Sequence, residues 1–274
     1  MRKKLQRLVH EFDYLRGHLT RALPDTPDAP KKIFVIGTGR SGTHWLGETL
    51  GSHPMVHVAI ESNPEFGWVT RMALDPAERS RLLPRLVHRY DIYHRRFAPL
   101  HYADKSHPNL WLMEPLMAAF AHARFIAITR EIEPTVASML RHKGVRFWME
   151  NWQQYPIPNL LLGITADNRE QYISWSLEQR STWRVICHTR EIARLQQLYP
   201  DRLLVLEYSR LLLDPFRCTL DLAAFLGVTA DFHPPLANRS RDDDWRQRLN
   251  GAQIQELRAF AATHDAQDML TGTN

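Results

Sequence analysis

Lys32-Ile-Phe-Val-Ile-Gly-Thr-Gly-Arg-Ser-Gly-Thr43 is the stretch of sequence that decides the fold. Its first half is a short apolar run bounded by charge and glycine, which is typical of a strand buried inside a parallel sheet. Its second half, residues 37–43, is a glycine-rich turn, and apolar residues at helical spacing follow it from Trp45 onwards. The stretch therefore predicts a strand, a tight loop and a helix in direct succession.

Strands and helices alternate along the rest of the chain. Residues 56–60, 101–104, 124–129 and 202–206 are predicted strands, and residues 112–121, 133–142, 169–198, 216–226 and 252–262 are predicted helices. Residues 144–168 are rich in aromatic residues, proline and asparagine, which predicts an irregular insertion. The alternation predicts an α/β fold with a central parallel sheet flanked by helices, and a ligand at the carboxyl ends of the strands.

The N-terminal residues predict a separate unit. Residues 5–22 place leucine, valine and phenylalanine at helical spacing with basic residues between them, and a proline-rich stretch, residues 24–30, follows. We therefore divide the chain into an amphipathic helix with its linker, residues 1–29, and a main domain, residues 30–274. The apolar face of the helix is expected to pack on the main domain, to meet a partner helix or to lie on a membrane surface.

Composition limits the class of protein. The chain has 274 residues, a net charge of +5 and many more arginines than lysines, which suits either a polyanionic ligand or a solvated basic surface. Cys187 and Cys218 are too few for a disulfide framework, and no Cys/His cluster suggests a metal site. We find no signal peptide, membrane span or basic–aromatic strip, so we expect a cytoplasmic protein that does not bind nucleic acid.

The loop chemistry favours a phosphate-like ligand other than a magnesium–nucleoside triphosphate. The spacing Gly37-x-x-x-x-Gly42 is that of a nucleotide-binding P-loop, but Thr43-His44 stands where such a loop continues with lysine. A cation stands earlier, at Arg40. A small-molecule kinase, a nucleotide-binding module without catalysis and a purely structural turn are the alternatives that the loop alone leaves open.

The stretch Arg40-Ser-Gly-Thr-His-Trp-Leu46 resembles the 5'-phosphosulfate loop of sulfotransferases that use 3'-phosphoadenosine 5'-phosphosulfate (PAPS), a family that includes bacterial, tyrosylprotein and carbohydrate sulfotransferases. His44 replaces a threonine that is common in that loop. The resemblance implies a P-loop-containing three-layer fold. It also implies that the loop binds the cofactor through Arg40, Ser41, Gly42, Thr43, His44 and Trp45.

A second part of the family signature lies further along the chain. Sulfotransferases bind the 3'-phosphate of PAPS through an arginine at a strand end and a serine eight residues later, and Arg130 and Ser138 have this spacing. Tyr208 lies in a segment, residues 203–215, that resembles another familial stretch. A late basic loop with Arg239, Ser240 and Arg241 resembles the one that closes over the cofactor. The resemblance implies adenosine 3',5'-bisphosphate (PAP) as the product and no metal.

Two residues are candidates for the base that removes the proton of the acceptor. Glu61 follows a predicted strand and resembles the base of tyrosylprotein sulfotransferases, whereas His107, in Asp104-Lys-Ser-His107, resembles that of cytosolic small-molecule sulfotransferases. We favour Glu61, with Arg40 and Lys105 as the cations that stabilise the sulfuryl group.

The acceptor is expected to contact the segments between the cofactor motifs, residues 62–100 and 144–172. The first is basic, which suits an acidic acceptor, and the second is aromatic, which suits a sugar or phenol. Aromatic residues beneath a long insertion, however, more often form a small core. We therefore expect a hydroxyl or amine acceptor, a glycan or another small molecule, without further identification. The residues concerned are Arg79, Arg81, Arg85, Arg89, Arg95, Arg96, Phe147, Trp148, Trp152 and Tyr155.

Overall fold

The five predicted strands form one parallel sheet. A computed structural model describes residues 2–20, 26, 29–235 and 244–271. The strands are β1 (Lys32–Gly37), β2 (Val56–Ile60), β3 (His101–Lys105), β4 (Arg124–Thr129) and β5 (Leu203–Glu207), in the order β2-β3-β1-β4-β5. β1 is central, and its Phe34 pairs with Asp104 on one side and Phe125 on the other.

Helices cover both faces of the sheet. In chain order they are α1 (Arg2–Gly17), α2 (Thr43–Gly51), α3 (Glu65–Leu74), α4 (Arg79–Phe97), α5 (Met113–Ala119), α6 (Ile132–Arg141), α7 (Lys143–Glu150), α8 (Arg169–Ser174), α9 (Leu177–Leu198), α10 (Tyr208–Leu213), α11 (Pro215–Leu226), α12 (Trp245–Arg248) and α13 (Gly251–Thr271).

The alternation of side chains along β1 builds two cores. Phe34 and Ile36 are fully buried in one cluster with apolar residues of α3 and α4. Ile33 and Val35 point to the opposite face and are fully buried in a second cluster with residues of α2 and α11. Because successive side chains of a strand point to opposite faces, an all-apolar strand is buried on both sides. The three-layer α/β architecture predicted from the sequence is confirmed.

Two element predictions were wrong in detail. The single helix expected over residues 169–198 is two helices, because Ser176 starts a new one: its hydroxyl accepts from Gln179 N at 3.1 Å, and the Gln179 side chain accepts from Ser176 N at 3.0 Å. This reciprocal capping begins α9 and separates it from α8. The insertion expected to be irregular contains α7, whose apolar side packs in a third core with α6 and α9.

The N-terminal helix contacts α4, but not through its apolar side. Its Gly17 lies so close to α4 that a Cβ there would be 2.6 Å from Ile92 Cγ2. Packing of the apolar side on the domain, one of the three expectations, is wrong, because the exposed side chains include Leu8, Val9, Phe12, Leu15 and Leu19. A partner helix and a membrane surface stay predictions. The division of the chain at residue 29 stays a prediction. Within the described residues, no helix is long and apolar enough to cross a bilayer.

Candidate active site

The loop after β1 is a tight turn built from left-handed residues. Gly39, Arg40 and Gly42 have φ of 75°, 65° and 103°. Gly42 is the N-cap residue of α2, and no side chain caps that helix end. The first N–H groups of a helix have no partner within it, so an uncapped N-terminus attracts an anion. The loop has the geometry of an anion cradle.

Two residues from other strand ends hold this loop in place. A Cβ on Gly39 would lie 2.8 Å from His107 Nε2, and a Cβ on Gly42 would lie 2.4 Å from Tyr208 Cδ2. His107 follows β3, and Tyr208 follows β5. These glycines are therefore required for conformation and for space, and both sequence candidates, His107 and Tyr208, lie against the loop.

The remaining loop residues differ in their surroundings. Ser41 and Thr43 are buried, and Ser41 Oγ has no hydrogen-bond partner among the described residues. His44 is exposed and lies 3.5 Å from Glu48. Trp45 Nε1 donates to Pro235 O at 2.9 Å, which ties α2 to the segment that leads into the late basic loop. Arg239, Ser240 and Arg241 of that loop lie outside the described residues.

Glu61, Lys105 and His107 meet where β2 and β3 end. Glu61 N donates to Lys105 O at 3.0 Å, which extends the pairing of the two strands by one residue. Lys105 Nζ forms an ion pair with Glu61 Oε1, and His107 Nδ1 lies 3.6 Å from the same oxygen. Both ring nitrogens of His107 are buried without a hydrogen-bond partner in the described chain. Both candidate bases thus lie in one cluster with a lysine.

Backbone conformation distinguishes two of the candidates. Glu61 has φ of 47° and Arg40 has φ of 65°, and they are the two non-glycine residues with positive φ in the described chain. A side chain in this conformation costs about 1–3 kcal/mol, and such residues cluster at active sites. Interactions elsewhere in the fold must therefore offset the conformational strain of Arg40 and Glu61, which are 21 residues apart in sequence.

The electrostatics of the cluster keep the carboxylate charged. Burial alone would raise the pKa of Glu61, but the neighbouring His107 ring and the Lys105 ammonium together hold it well below its usual range. Burial lowers the pKa of Lys105, and Glu61 opposes that shift. Burial likewise lowers the pKa of His107 to about 4, against the effect of Glu61. Glu61 is therefore a carboxylate and His107 a neutral imidazole near neutral pH.

Arg40, Arg130 and Ser138 are connected to one another. Arg40 Nε donates to Ser138 Oγ at 3.1 Å, and Arg130 Nη1 donates to Arg40 O at 3.4 Å. The Arg130 guanidinium lies 4.4 Å from the centre of the Tyr208 ring, within cation–π range. Burial lowers the pKa of Arg40, Glu61 raises it and Arg130 lowers it. Arg40 thus lies between the carboxylate of Glu61 and the second cation.

Most residues of the predicted acceptor segments make contacts within the protein. Arg89, Arg95 and Arg96 form ion pairs with acids of α1, α3 and α4, Arg81 pairs with Glu78, and Arg79 donates to a backbone carbonyl. Of the aromatic residues, Trp152 is buried, and Trp148 and Tyr155 pack against the same core. Phe147 is exposed.

Two residues that the sequence analysis did not select also lie at this cluster. The Phe66 ring centre is 5.9 Å from that of His107. The pKa of His142 is lowered by burial and by the charge of Arg40, and Glu61 opposes the shift. His142 lies one helical turn beyond Ser138, and that spacing could have indicated it. A separate cavity of about 550 Å³ lies at the opposite end of the sheet, beside Lys31 and Lys32.

The residues present fit an anionic cofactor with two phosphate-bearing ends. The uncapped start of α2 and the unpartnered Ser41 hydroxyl provide donors at one point. Arg130 and Ser138 provide a second point, linked to the first through Arg40. A buried polar atom without a partner is uncommon in proteins, and a bound ligand is one explanation for it.

Comparison with known proteins gives one family and one fold. A family model described as the sulfotransferase family matches residues 30–233. A sulfotransferase from Alicyclobacillus acidocaldarius is 17% identical, with 90% of this chain and 97% of that chain covered and a TM-score of 0.53. The sulfotransferase domain of the curacin biosynthetic pathway is 17% identical, with 84% and 96% covered and a TM-score of 0.52.

A third solved structure is the sulfotransferase domain of the Synechococcus olefin synthase. It is 18% identical, with 88% of this chain and 98% of that chain covered and a TM-score of 0.51. At these identities the likeness shows the fold, which is the P-loop-containing three-layer arrangement predicted from the loop. No curated protein matches the chain.

Proposed function

The chain belongs to the sulfotransferase family, and we propose that it transfers a sulfuryl group from PAPS to a hydroxyl or amine of a glycan or other small molecule. The proposal rests on one observation above all. The candidate residues follow the carboxyl ends of all five parallel strands: the 37–43 loop after β1, Glu61 after β2, His107 after β3, Arg130 after β4 and Tyr208 after β5. Ligands of parallel α/β sheets bind at this edge.

The loop and α6 would hold the donor. Backbone N–H groups of residues 40–45 and the Ser41 hydroxyl would bind the 5'-phosphosulfate, with Thr43, His44 and Trp45 completing the loop. Arg130 and Ser138 would bind the 3'-phosphate, and the Tyr208 ring supports both the loop and Arg130. Arg239, Ser240 and Arg241 stay candidates for a loop that covers the cofactor.

Glu61 would act as the general base. The acceptor oxygen or nitrogen forms a bond to sulfur, the bond between sulfur and the bridging oxygen of the 5'-phosphate breaks, and the acceptor proton passes to the Glu61 carboxylate. The products are the sulfated acceptor and PAP. The lowered pKa of Glu61 keeps the residue unprotonated before the reaction, but it also makes the carboxylate a weaker base, so the proton would transfer only as the bond to sulfur forms and acidifies the acceptor.

Arg40 and Lys105 would stabilise the charge that develops on the sulfuryl oxygens and the leaving phosphate. The Lys105 ion pair with Glu61 supports this, because an ammonium held beside the base is also beside the bond that forms. His107, whose two ring nitrogens have no hydrogen-bond partner among the described residues, would orient the acceptor and is the alternative base. The proposal includes a metal-free reaction in the cytoplasm, for which a chain with two cysteines is suited.

A binding and transfer experiment tests the proposal. PAP and ATP are titrated separately into the protein by calorimetry, and sulfate-labelled PAPS is then incubated with pools of glycans, phenols and amines. We expect tight binding of PAP, weak binding of ATP and transfer of label to one pool with chelator present. Binding of ATP in preference to PAP, as in a kinase, would contradict the proposal, and so would PAP binding without transfer to any pool.

A further inference from the structure

The N-terminal helix is turned the opposite way from an ordinary amphipathic helix. Leu8, Phe12 and Leu15 of α1, and Leu19 in the turn after it, follow the spacing of one helix face, and their exposed fractions are 67%, 57%, 63% and 89%. We call these four residues the apolar stripe. A helix on a globular protein normally turns its apolar side inward. Here the stripe faces solvent.

Polar side chains fix α1 in this orientation. Glu11 Oε1 accepts from Arg89 Nη2 at 2.8 Å, and Asp13 Oδ1 forms an ion pair with Arg96 Nη2 at 3.1 Å. His10 Nε2 lies 2.9 Å from Glu65 Oε2, so α1 is bonded to α3 as well as to α4. Arg89 also pairs with Glu65, and both are buried. The contact that positions the helix thus combines an ion-pair network with the rings of His10 and Tyr14, which pack on Tyr93.

The ion-pair network also places the two acidic side chains of α1 on the side of the helix that faces the domain. Glu11 and Asp13 are the two acids in the sequence of α1, and both face cations of α4. Arg16 remains next to the stripe, with its guanidinium 5.6 Å from the centre of the Phe12 ring. The sequence of α1 adds Arg2, Lys3, Lys4 and Arg7. The helix therefore has an exposed apolar stripe, and its sequence carries five cations against two acids.

We propose that α1 binds the surface of an anionic lipid bilayer, with the apolar stripe among the acyl chains and the cations at the headgroups. An apolar face bordered by lysine and arginine is the pattern of helices that lie in the membrane interface. A second copy of the chain suits the stripe less well. Two stacked stripes would bring the basic residues of both helices together, while the acids that could neutralise them face inward.

α1 is bonded to Glu65 of the main domain. Binding of α1 to a bilayer would therefore fix the position of the whole domain at the membrane surface, whereas a flexible link would let the domain move. Glu65 begins α3, four residues after the candidate base Glu61. The proposal concerns a surface separate from the active site and does not depend on the sulfuryl-transfer reaction.

Vesicle co-sedimentation tests the proposal. The full chain is mixed with vesicles of phosphatidylcholine alone and of phosphatidylcholine with phosphatidylserine. The stripe variant is Leu8→Gln/Phe12→Gln/Leu15→Gln, and the control variant is Leu213→Gln/Phe216→Gln, which changes two apolar side chains that are 74% and 69% exposed elsewhere. Thermal unfolding of each variant checks that its fold is intact.

We expect the parent and the control variant to bind the anionic vesicles. The stripe variant should bind them at least about tenfold more weakly. Arg16→Glu and added salt should also weaken binding. Equal binding by the stripe variant and the parent overturns the proposal, as does a parent that binds neither vesicle. A parent that sediments as a dimer, with a monomeric stripe variant, would show instead that a second copy covers the stripe.

Discussion

Arg40 Nε donates a hydrogen bond to Ser138 Oγ at 3.1 Å, although the two residues are 98 positions apart. The bond joins the loop after β1 to α6, the helix that follows β4. In the proposed function Arg40 meets the sulfuryl end of the donor, and Ser138 meets the 3'-phosphate. In that function the bond would couple the two ends of the cofactor site through the protein.

The left-handed backbone of Arg40 allows stability to be separated from function. In Arg40→Gly the strain of φ 65° is relieved, while the guanidinium is lost. We expect turnover to fall by about 10³ or more, because a charge-stabilising group is removed. Kinetics with saturating PAPS and chemical unfolding measure the two effects.

Arg40→Ala is the matched control, because alanine also lacks the guanidinium but keeps the strain. We expect Arg40→Gly to be more stable than Arg40→Ala by about 1 kcal/mol, with both equally inactive. Appreciable turnover in either variant would remove Arg40 from the mechanism.

Replacement of the candidate base tests the choice between Glu61 and His107. We expect Glu61→Gln to lower kcat by about 10²–10⁴ while its affinity for PAP stays near that of the parent, because the amide cannot take a proton. His107→Asn should lose less turnover, since its role is to orient the acceptor. Near-normal turnover in Glu61→Gln, with loss in His107→Asn, would make His107 the base.

Lys105 is, with His107, one of the two groups that lower the pKa of Glu61. Removal of the ammonium in Lys105→Met should raise the pKa of Glu61, because burial then acts against a weaker opposing charge. We expect Lys105→Met to have a lower turnover than the parent at every pH. The measurement that tests the coupling is the dependence of kcat/KM on pH. The parent should keep its activity down to about pH 5, whereas Lys105→Met should begin to lose it at a higher pH. The exposed Lys143→Met is the control, and an unchanged profile in both variants would argue against the coupling.

Gly42 tests the contact between the loop and Tyr208. Gly42→Ala introduces a Cβ both at φ 103° and 2.4 Å from Tyr208 Cδ2. Gly227→Ala is a control with φ of 69° and no atom within 4 Å of the new Cβ. The control should lose about 1 kcal/mol of stability from the left-handed backbone alone. Gly42→Ala should lose more stability than the control and should also bind PAP more weakly than the parent. Equal losses of stability in the two variants would mean that the Tyr208 ring moves aside freely.

The strands and phosphate motifs could be predicted because their signals are local. β1 and β4 are short, largely apolar runs, Arg130 directly follows β4, and Arg40 lies in the glycine-rich turn after β1. The pairing of Glu61 with Lys105 is different. It depends on β2 and β3 being neighbours at the edge of the sheet, and strand order is set by how helices pack, not by the residues of either strand. The sequence therefore proposed both side chains without showing that they form an ion pair.

The orientation of α1 could not be predicted either. Helical spacing shows which side chains share a face, but not the direction of that face. Here the deciding residues are Arg89 and Arg96, more than seventy positions away, which attract Glu11 and Asp13 inward. The expectation that the apolar face packs on the domain was wrong, because ion pairs and the rings of His10 and Tyr14 form that contact instead.

Asp104 should make stability depend on pH. It is fully buried next to Lys105, and burial raises the pKa of its carboxyl from an ordinary value of 3.8 to about 7. Because the folded-state pKa is raised, its stabilising contribution is fully present below pH 3.8 and is lost as the pH rises through 7. In the folded protein Oδ1 accepts from Tyr90 Oη at 3.0 Å and from Asn109 Nδ2 at 2.9 Å, which an asparagine at position 104 could still do.

Asp104→Asn should therefore be more stable than the parent by about 2–4 kcal/mol above pH 8, since each unit of pKa shift corresponds to about 1.4 kcal/mol. The difference should shrink steadily as the pH falls towards 4, where the parent carboxyl is protonated in the folded state and resembles the amide. Chemical unfolding across this range measures it, and Asp201→Asn, at an exposed position, should show no such trend. A difference between Asp104→Asn and the parent that stays constant with pH would mean that the Asp104 carboxyl is already ionised in the folded protein.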